Sequence, residues 1–200
     1  MLRKIFPKTA VTTALLLALT ACDSSTHSNE GKPQPVHQHP KVENAGRLVL
    51  SAFGSNSVYI YDIKDKKQVG SFDAQLPLHS IYASPDRRYA LLFQRVDNQV
   101  RFIDGGVWQE DHGDHLHPYS EKPKLMSFQL NGSRPTHVQS NVSTTAVFMD
   151  GDAASKTPAA VVTLTEANIS ADKKDLPLLQ YDTHMHGAAQ PRGDQLISTI

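Results

Sequence analysis

Three histidines, His112, His115 and His117, are interleaved with Asp111 and Asp114 in the stretch EDHGDHLHP, residues 110–118. Imidazole nitrogens and carboxylate oxygens are the donors that tetrahedral zinc takes up alongside thiolates. The spacing His-x-x-His-x-His lets two or three rings turn to one side of the chain. Asp111 or Asp114 then serves either as a ligand or as the outer acceptor that fixes a ring tautomer. Gly113 and Pro118 predict a loop. The chain has 20 basic and 20 acidic residues and a formal net charge of zero, so average composition does not explain such a concentration. Metal binding is the chemistry this stretch predicts, with Zn2+ as the ion.

These residues must be held by something, and the sequence predicts strands. From Gly46 onward, RLVLSAF, SVYIYDI, QVGSFDA, SIYAS, YALLFQR, QVRFIDG and KLMSFQL are short runs of β-branched and aromatic residues separated by turn signals. The layout repeats. Matching Leu48 to Ala90 gives a period of about 42 residues, within the range of four-stranded propeller blades. A further copy around Ala146 comes about 56 residues later, and the extra length is the segment holding EDHGDHLHP, an insertion in a between-strand loop. Another copy begins at QPRGDQLISTI. The predicted fold class is therefore all-β: a β-propeller of four-stranded antiparallel blades, about three plus the start of another, belonging to a longer protein. A β-sandwich of about nine strands is the alternative.

Aligning the repeats relates the other histidines. His79, His137, His184 and His186 all precede the equivalent turn, on what would be each blade's innermost strand. Histidines far apart in sequence then converge on the propeller axis. His79 and His137 share a register parity, whereas His184 and His186 sit one step off, so a bulge or a slipped alignment is required.

The N-terminus reads MLRKIFPKTAVTTALLLALTAC, a basic start and an apolar run too short to span a bilayer, ending in a lipobox-like Leu-x-Ala-Cys. Residues 1–21 are expected to be a lipoprotein signal peptide, with Cys22 the lipidated residue and Asp23 resembling an inner-membrane retention signal. Residues 22–45 are a flexible tether, and residues 46–200 the partial propeller. In the tether His37-Gln38-His39 is either a weak metal-binding element or part of a polar linker. The single cysteine excludes an internal disulfide. The charge balance gives no steering toward nucleic acid.

The leader, the blade repeat, DHGDHLHPY in an insertion and HGAAQPRGD opening a later blade together resemble the AztD family of periplasmic zinc metallochaperones. The resemblance covers about Gly46 to Ile200. It implies a zinc carrier of the periplasm, not an enzyme, whose partner is the substrate-binding protein of a zinc ABC importer. It also implies metal roles for the matching histidines His79, His112, His115, His117, His137, His184 and His186, to which the spacing of the loop stretch adds Asp114. In this reading His79, His137 and His186 hold the ion, and the loop histidines capture it or hand it on. The lipid anchor, which would keep the protein at the inner membrane, departs from a freely soluble chaperone. Two other classes compete: a zinc hydrolase of lactones or esters with Glu110 as general base, and an interaction scaffold. The His-x-His-x-Asp-His order of metallo-β-lactamase-fold hydrolases is not the His-x-Asp-His-x-His order found here. That fold also needs alternating strands and helices, which this sequence lacks.

Overall fold

All seven apolar runs form strands, because β-branched and aromatic side chains suit a pleated, packed surface and the intervening Ser-Pro-Asp, Asp-Asn and Gly-Ser-Asn segments suit turns. The computed structural model describes residues 46–199. The expected signal peptide, tether and lipidated Cys22 lie outside the described residues. Strands β1 (Arg47–Leu50), β2 (Ser57–Asp62) and β3 (Lys67–Asp73) form a three-stranded antiparallel sheet. Next come β4 (Ser80–Ala83), β5 (Tyr89–Gln94) and β6 (Gln99–Asp104), a separate hairpin of β7 (Val107–Asp111) and β8 (Leu116–Ser120), and then β9 (Lys124–Asn131). The second sheet is four-stranded in the order β4-β5-β6-β9. The third is also four-stranded: β10 (Pro135–Ser140), β11 (Thr145–Met149), β12 (Ala160–Leu164) and β13 (Leu178–Gln180). A two-stranded sheet of β14 (Ala189–Arg192) and β15 (Gln195–Ser198) follows.

The repeat extends to the strand register. Leu48 lies opposite Tyr61, Ala90 opposite Ile103 and Ala146 opposite Thr163, so the aligned residues occupy equivalent pairs in the first three sheets. The sheets stack face to face in chain order, and the period-two alternation of side chains shows how. Tyr89, Leu91 and Phe93 of β5 pack with Val147 and Met149 of the third sheet, while Ala90 and Leu92 pack with Val58 and Ile60 of the first. On β11 the partition repeats, with Ala146 and Phe148 turned toward Ala189 of the last sheet. Both strands are buried along their whole length, which is why they read as continuous apolar runs and not as alternating ones.

One element escapes the sequence pattern. A short helix, α1 (Glu166–Ser170), follows β12, with Thr165 and Asn168 forming a reciprocal capping box. Glu166 accepts hydrogen bonds from the Ser84 hydroxyl and, at 3.0 Å, from the Asp86 backbone N–H, tying the third sheet to the first turn of the second. Burial pushes the Glu166 carboxyl above its ordinary pKa against the pull of these donors.

Strand direction gives the stack two distinct ends. The turns after β5 and β11 and the starts of β4 and β10 lie at one end; the β4–β5 and β10–β11 turns and the connection leaving β6 lie at the other. The β7–β8 hairpin springs from this second end. Its base is held by Arg47, whose Nη1 donates to Gly105 O at 2.5 Å and Glu121 O at 2.6 Å while Nε reaches Asp62 at 3.4 Å. Gly106, at φ +72°, is required there, because a Cβ would stand 2.5 Å from Glu121 O.

Candidate metal centre

The segment predicted as a loop is an antiparallel ribbon. Trp108 lies opposite Tyr119, Glu110 opposite His117 and Asp111 opposite Leu116. The tip closes through a hydrogen bond from His112 N to His115 O at 3.0 Å, with Gly113 at φ +90°. Gly at the first central position suits a primed hairpin turn. Pro118 is tolerated because both strands of an isolated ribbon are edges. Alternation then places Trp108, Glu110 and His112 on one face with Tyr119, His117 and His115. The Trp108 and Tyr119 rings stack 5.0 Å apart, Arg88 lies over Trp108 at 3.9 Å, and the three imidazole centroids are 4.4, 4.5 and 5.9 Å from one another.

Within this group the contacts form a chain. Asp114 Oδ1 is 2.5 Å from His115 Nδ1, and His115 Nε2 is 2.6 Å from His117 Nε2. The hydrogen bond from His115 holds the Asp114 carboxyl below its ordinary pKa. An ionised carboxylate only accepts, so Nδ1 of His115 carries the proton and a neutral ring presents its Nε2 lone pair toward His117. Glu110 accepts from Trp108 Nε1 at 3.2 Å and stands 3.8 Å from His112 Nε2. Hydrogen bonds from Trp108 and Tyr119 lower its pKa, and the same contact raises that of Tyr119.

A second grouping lies at the opposite end. His137 Nε2 is 3.2 Å from His186 Nε2, and His186 Nδ1 is 3.0 Å from Asp150 Oδ2. Asp150 directly follows β11 and is only 7% exposed. Its Oδ2 also accepts from Arg95 Nη2 at 2.9 Å, while its buried Oδ1 has no hydrogen-bond partner among the described residues. Burial alone would raise the Asp150 pKa; the hydrogen bonds from His186, Thr136 and Arg95 and the Arg95 charge outweigh it, and the carboxyl sits below its ordinary range. Asp150 and Arg95 are the residues sequence reasoning missed. Their signal was faint, because Met-Asp-Gly-Asp after an apolar run reads as a turn.

The structure does not bring the other histidines to this pair. His137 lies within β10, next to a register shift between Pro135 and His137. His79 precedes β4 and packs edge-on to Phe53 at 5.6 Å. His184 and His186 lie in the segment leading to β14 and not in a strand; His184 Nδ1 is 3.5 Å from the neighbouring Thr183 hydroxyl. Among the described residues no three His, Cys, Asp or Glu side chains already surround a common metal position. What exists are two chains of carboxylate, imidazole and imidazole. Two nitrogens on one tetrahedral zinc, each bound at about 2.0–2.1 Å, stand about 3.3 Å apart, a spacing the His137–His186 pair meets. The His115–His117 pair is closer and must turn to admit an ion.

Stacked antiparallel sheets with a carboxylate and paired imidazoles at either end define the class, an all-β antiparallel protein. The particular likeness is to AztD. The chain is 23% identical over 156 residues to the zinc chaperone AztD of Citrobacter koseri, covering 78% of this chain and 35% of that relative. The crystal structure of Citrobacter koseri AztD superposes with a TM-score of 0.70 at 23% identity, over 78% of this chain and 40% of that one. Apo AztD from the same organism gives 0.69 at 22% identity over the same shares. No protein-family model matches the sequence. The all-β antiparallel fold and the AztD-type resemblance read from the sequence are thus borne out; the chain spans little more than a third of the length of the relatives it matches.

Proposed function

We propose that this protein is a zinc carrier of the AztD type, binding Zn2+ through imidazole pairs and releasing it to a recipient protein. The observation that carries this reading is the His137–His186 pair, 3.2 Å between Nε2 atoms, with Asp150 on the far nitrogen of His186. A carboxylate behind a ligating imidazole fixes the tautomer and raises ligand basicity. The likeness to a protein named a zinc chaperone supports the same conclusion. Two or three protein ligands bind more weakly than a closed structural site and leave positions through which a recipient's ligand can enter.

The two groupings act as separate stations. They lie at opposite ends of strands that span about 20 Å, so a single ion is not shared between them. The recipient in this proposal is the substrate-binding protein of a zinc ABC importer, the setting is the periplasm, and Cys22 supplies a lipid anchor at the inner membrane. The four sheets are read as successive propeller blades, three and the start of another, with His79 and His184 completing the inner site on rearrangement. Neutral imidazoles are required, so zinc uptake weakens as pH falls below about 6.5.

The test is metal content and transfer. The complete protein is purified, its zinc counted, and the loaded form mixed with the candidate binding protein under a competing chelator. Direct handover is expected. Absence of zinc binding at micromolar concentration overturns the reading, and turnover of an ester or lactone without transfer replaces it with the hydrolase.

A further inference from the structure

The second and third sheets each begin with an edge strand that the first sheet lacks. β4 precedes β5 and β10 precedes β11, whereas β1, which corresponds to β5 through the Leu48–Tyr61 and Ala90–Ile103 pairs, is itself the edge of its sheet among the described residues. Its backbone is set for a neighbour. Ile63 N donates to Gly46 O at 3.2 Å around the Arg47–Asp62 pair, so Leu48 and Leu50 exchange their hydrogen bonds with β2, while the N–H and C=O groups of Arg47 and Val49 face the other side. Leu48 and Leu50 remain 47% and 49% exposed. An edge of this kind is a template for one more strand.

The residues directly before β1 match that template. Gly46 stands at φ +94°, the left-handed conformation that closes a three-residue hairpin loop, and Asn44-Ala45-Gly46 supplies the loop. A chain folded back there sets Glu43 opposite Arg47, Lys41 opposite Val49 and His39 opposite Ser51 as the bonded pairs. Val42 and Pro40 then alternate onto the other face, opposite Leu48 and Leu50, apolar against apolar. The same register turns the Pro40 nitrogen, which has no hydrogen to give, away from β1. We propose that residues 38–43 add to β1 as the missing edge strand of the first sheet, an intramolecular docking that shortens the expected tether to residues 22–37. β1 begins at the hairpin end, where Arg47 grips Gly105 and Glu121. An antiparallel strand beside it begins at the opposite end, so the N-terminal chain leaves the stack where His137 and His186 lie.

The experiment reads amide exchange and Hα–Hα contacts by NMR on the full chain carrying Cys22→Ser, which prevents dimers through the single cysteine. Val49 should exchange as slowly as Leu48 and Leu50, and Hα contacts should link Val42 to Leu48 and Pro40 to Leu50. Lys41→Pro removes the donor facing Val49 and should speed Val49 exchange at least about tenfold. Leu48 and Leu50, held by β2, should stay protected in that variant and show that the sheet is folded. Pro40→Ala should leave Val49 as it was. Fast Val49 exchange in the parent overturns the proposal. Val49 protection that survives Lys41→Pro, or that rises with protein concentration, assigns the edge to another segment or to a second copy and overturns it equally.

Discussion

The two histidine groupings use the same chain of contacts in opposite settings. Asp114–His115–His117 is built from residues adjacent in sequence on an exposed ribbon, with the Asp114 side chain 83% exposed. Asp150–His186–His137 is assembled from three separate segments, with the Asp150 side chain only 9% exposed and paired to Arg95. Local assembly makes a site that forms cheaply and moves freely. Assembly across sheets makes one whose geometry is tied to the stability of the whole stack. The proposed carrier has use for both: an exposed group open to ions or partners, and a pair whose spacing is set by the packing of the sheets.

That contrast can be broken by substitution. The largest effect is expected from Asp150→Ala, which strands Arg95 beside a vacated buried position and should cost about 3 kcal/mol in urea unfolding. Asp114→Ala, at an exposed pair, should leave the same unfolding curve essentially unchanged. Equal costs would erase the distinction. Next in size, removing His137 and His186 together should lower bound zinc by the inner site alone, leaving the hairpin titration as it was. Coupled loss of both in isothermal titration would mean that the two ends communicate.

A smaller effect separates the sites by acid. The Asp150 carboxyl has a lower pKa folded than unfolded, so its contribution to stability is fully present above about pH 4 and is lost as pH falls through the folded value. Unfolding midpoints measured downward from pH 5 should therefore decline less in Asp150→Asn than in the parent. The smallest expected change is from Gly113→Ala, where a β-carbon at φ +90° points into open space and strains only the tip turn. It should loosen the tip, seen as a shift in Trp108 emission, without moving the global midpoint.

The central strands β5 and β11 were legible because sheets pack against both of their faces, and a strand buried on both faces cannot hide its apolar run. The repeat was legible because equivalent residues share a cross-strand register. The hairpin was read as a loop because Pro118 and Gly113 argue against a strand inside a sheet, and neither objection applies to a two-stranded ribbon. The helix α1 was invisible because five residues are too few to show a helical period. Of the inner group, the histidines were visible but their grouping was not: His186 meets His137 and Asp150 only through packing of consecutive sheets, and no local pattern encodes that. His79, equally prominent in the alignment, packs against Phe53 because it sits one residue before its strand begins.

Arg47 carries one more consequence. By gripping the carbonyls at both feet of the hairpin, Gly105 and Glu121, a single guanidinium from the neighbouring sheet closes the gap that the insertion opens, and the β6–β9 pairing resumes with Asp104 opposite Lys124. Everything between those feet is then a cassette. Its length and ligand content can be rewritten, by evolution or by grafting, while the socket that receives it stays the same.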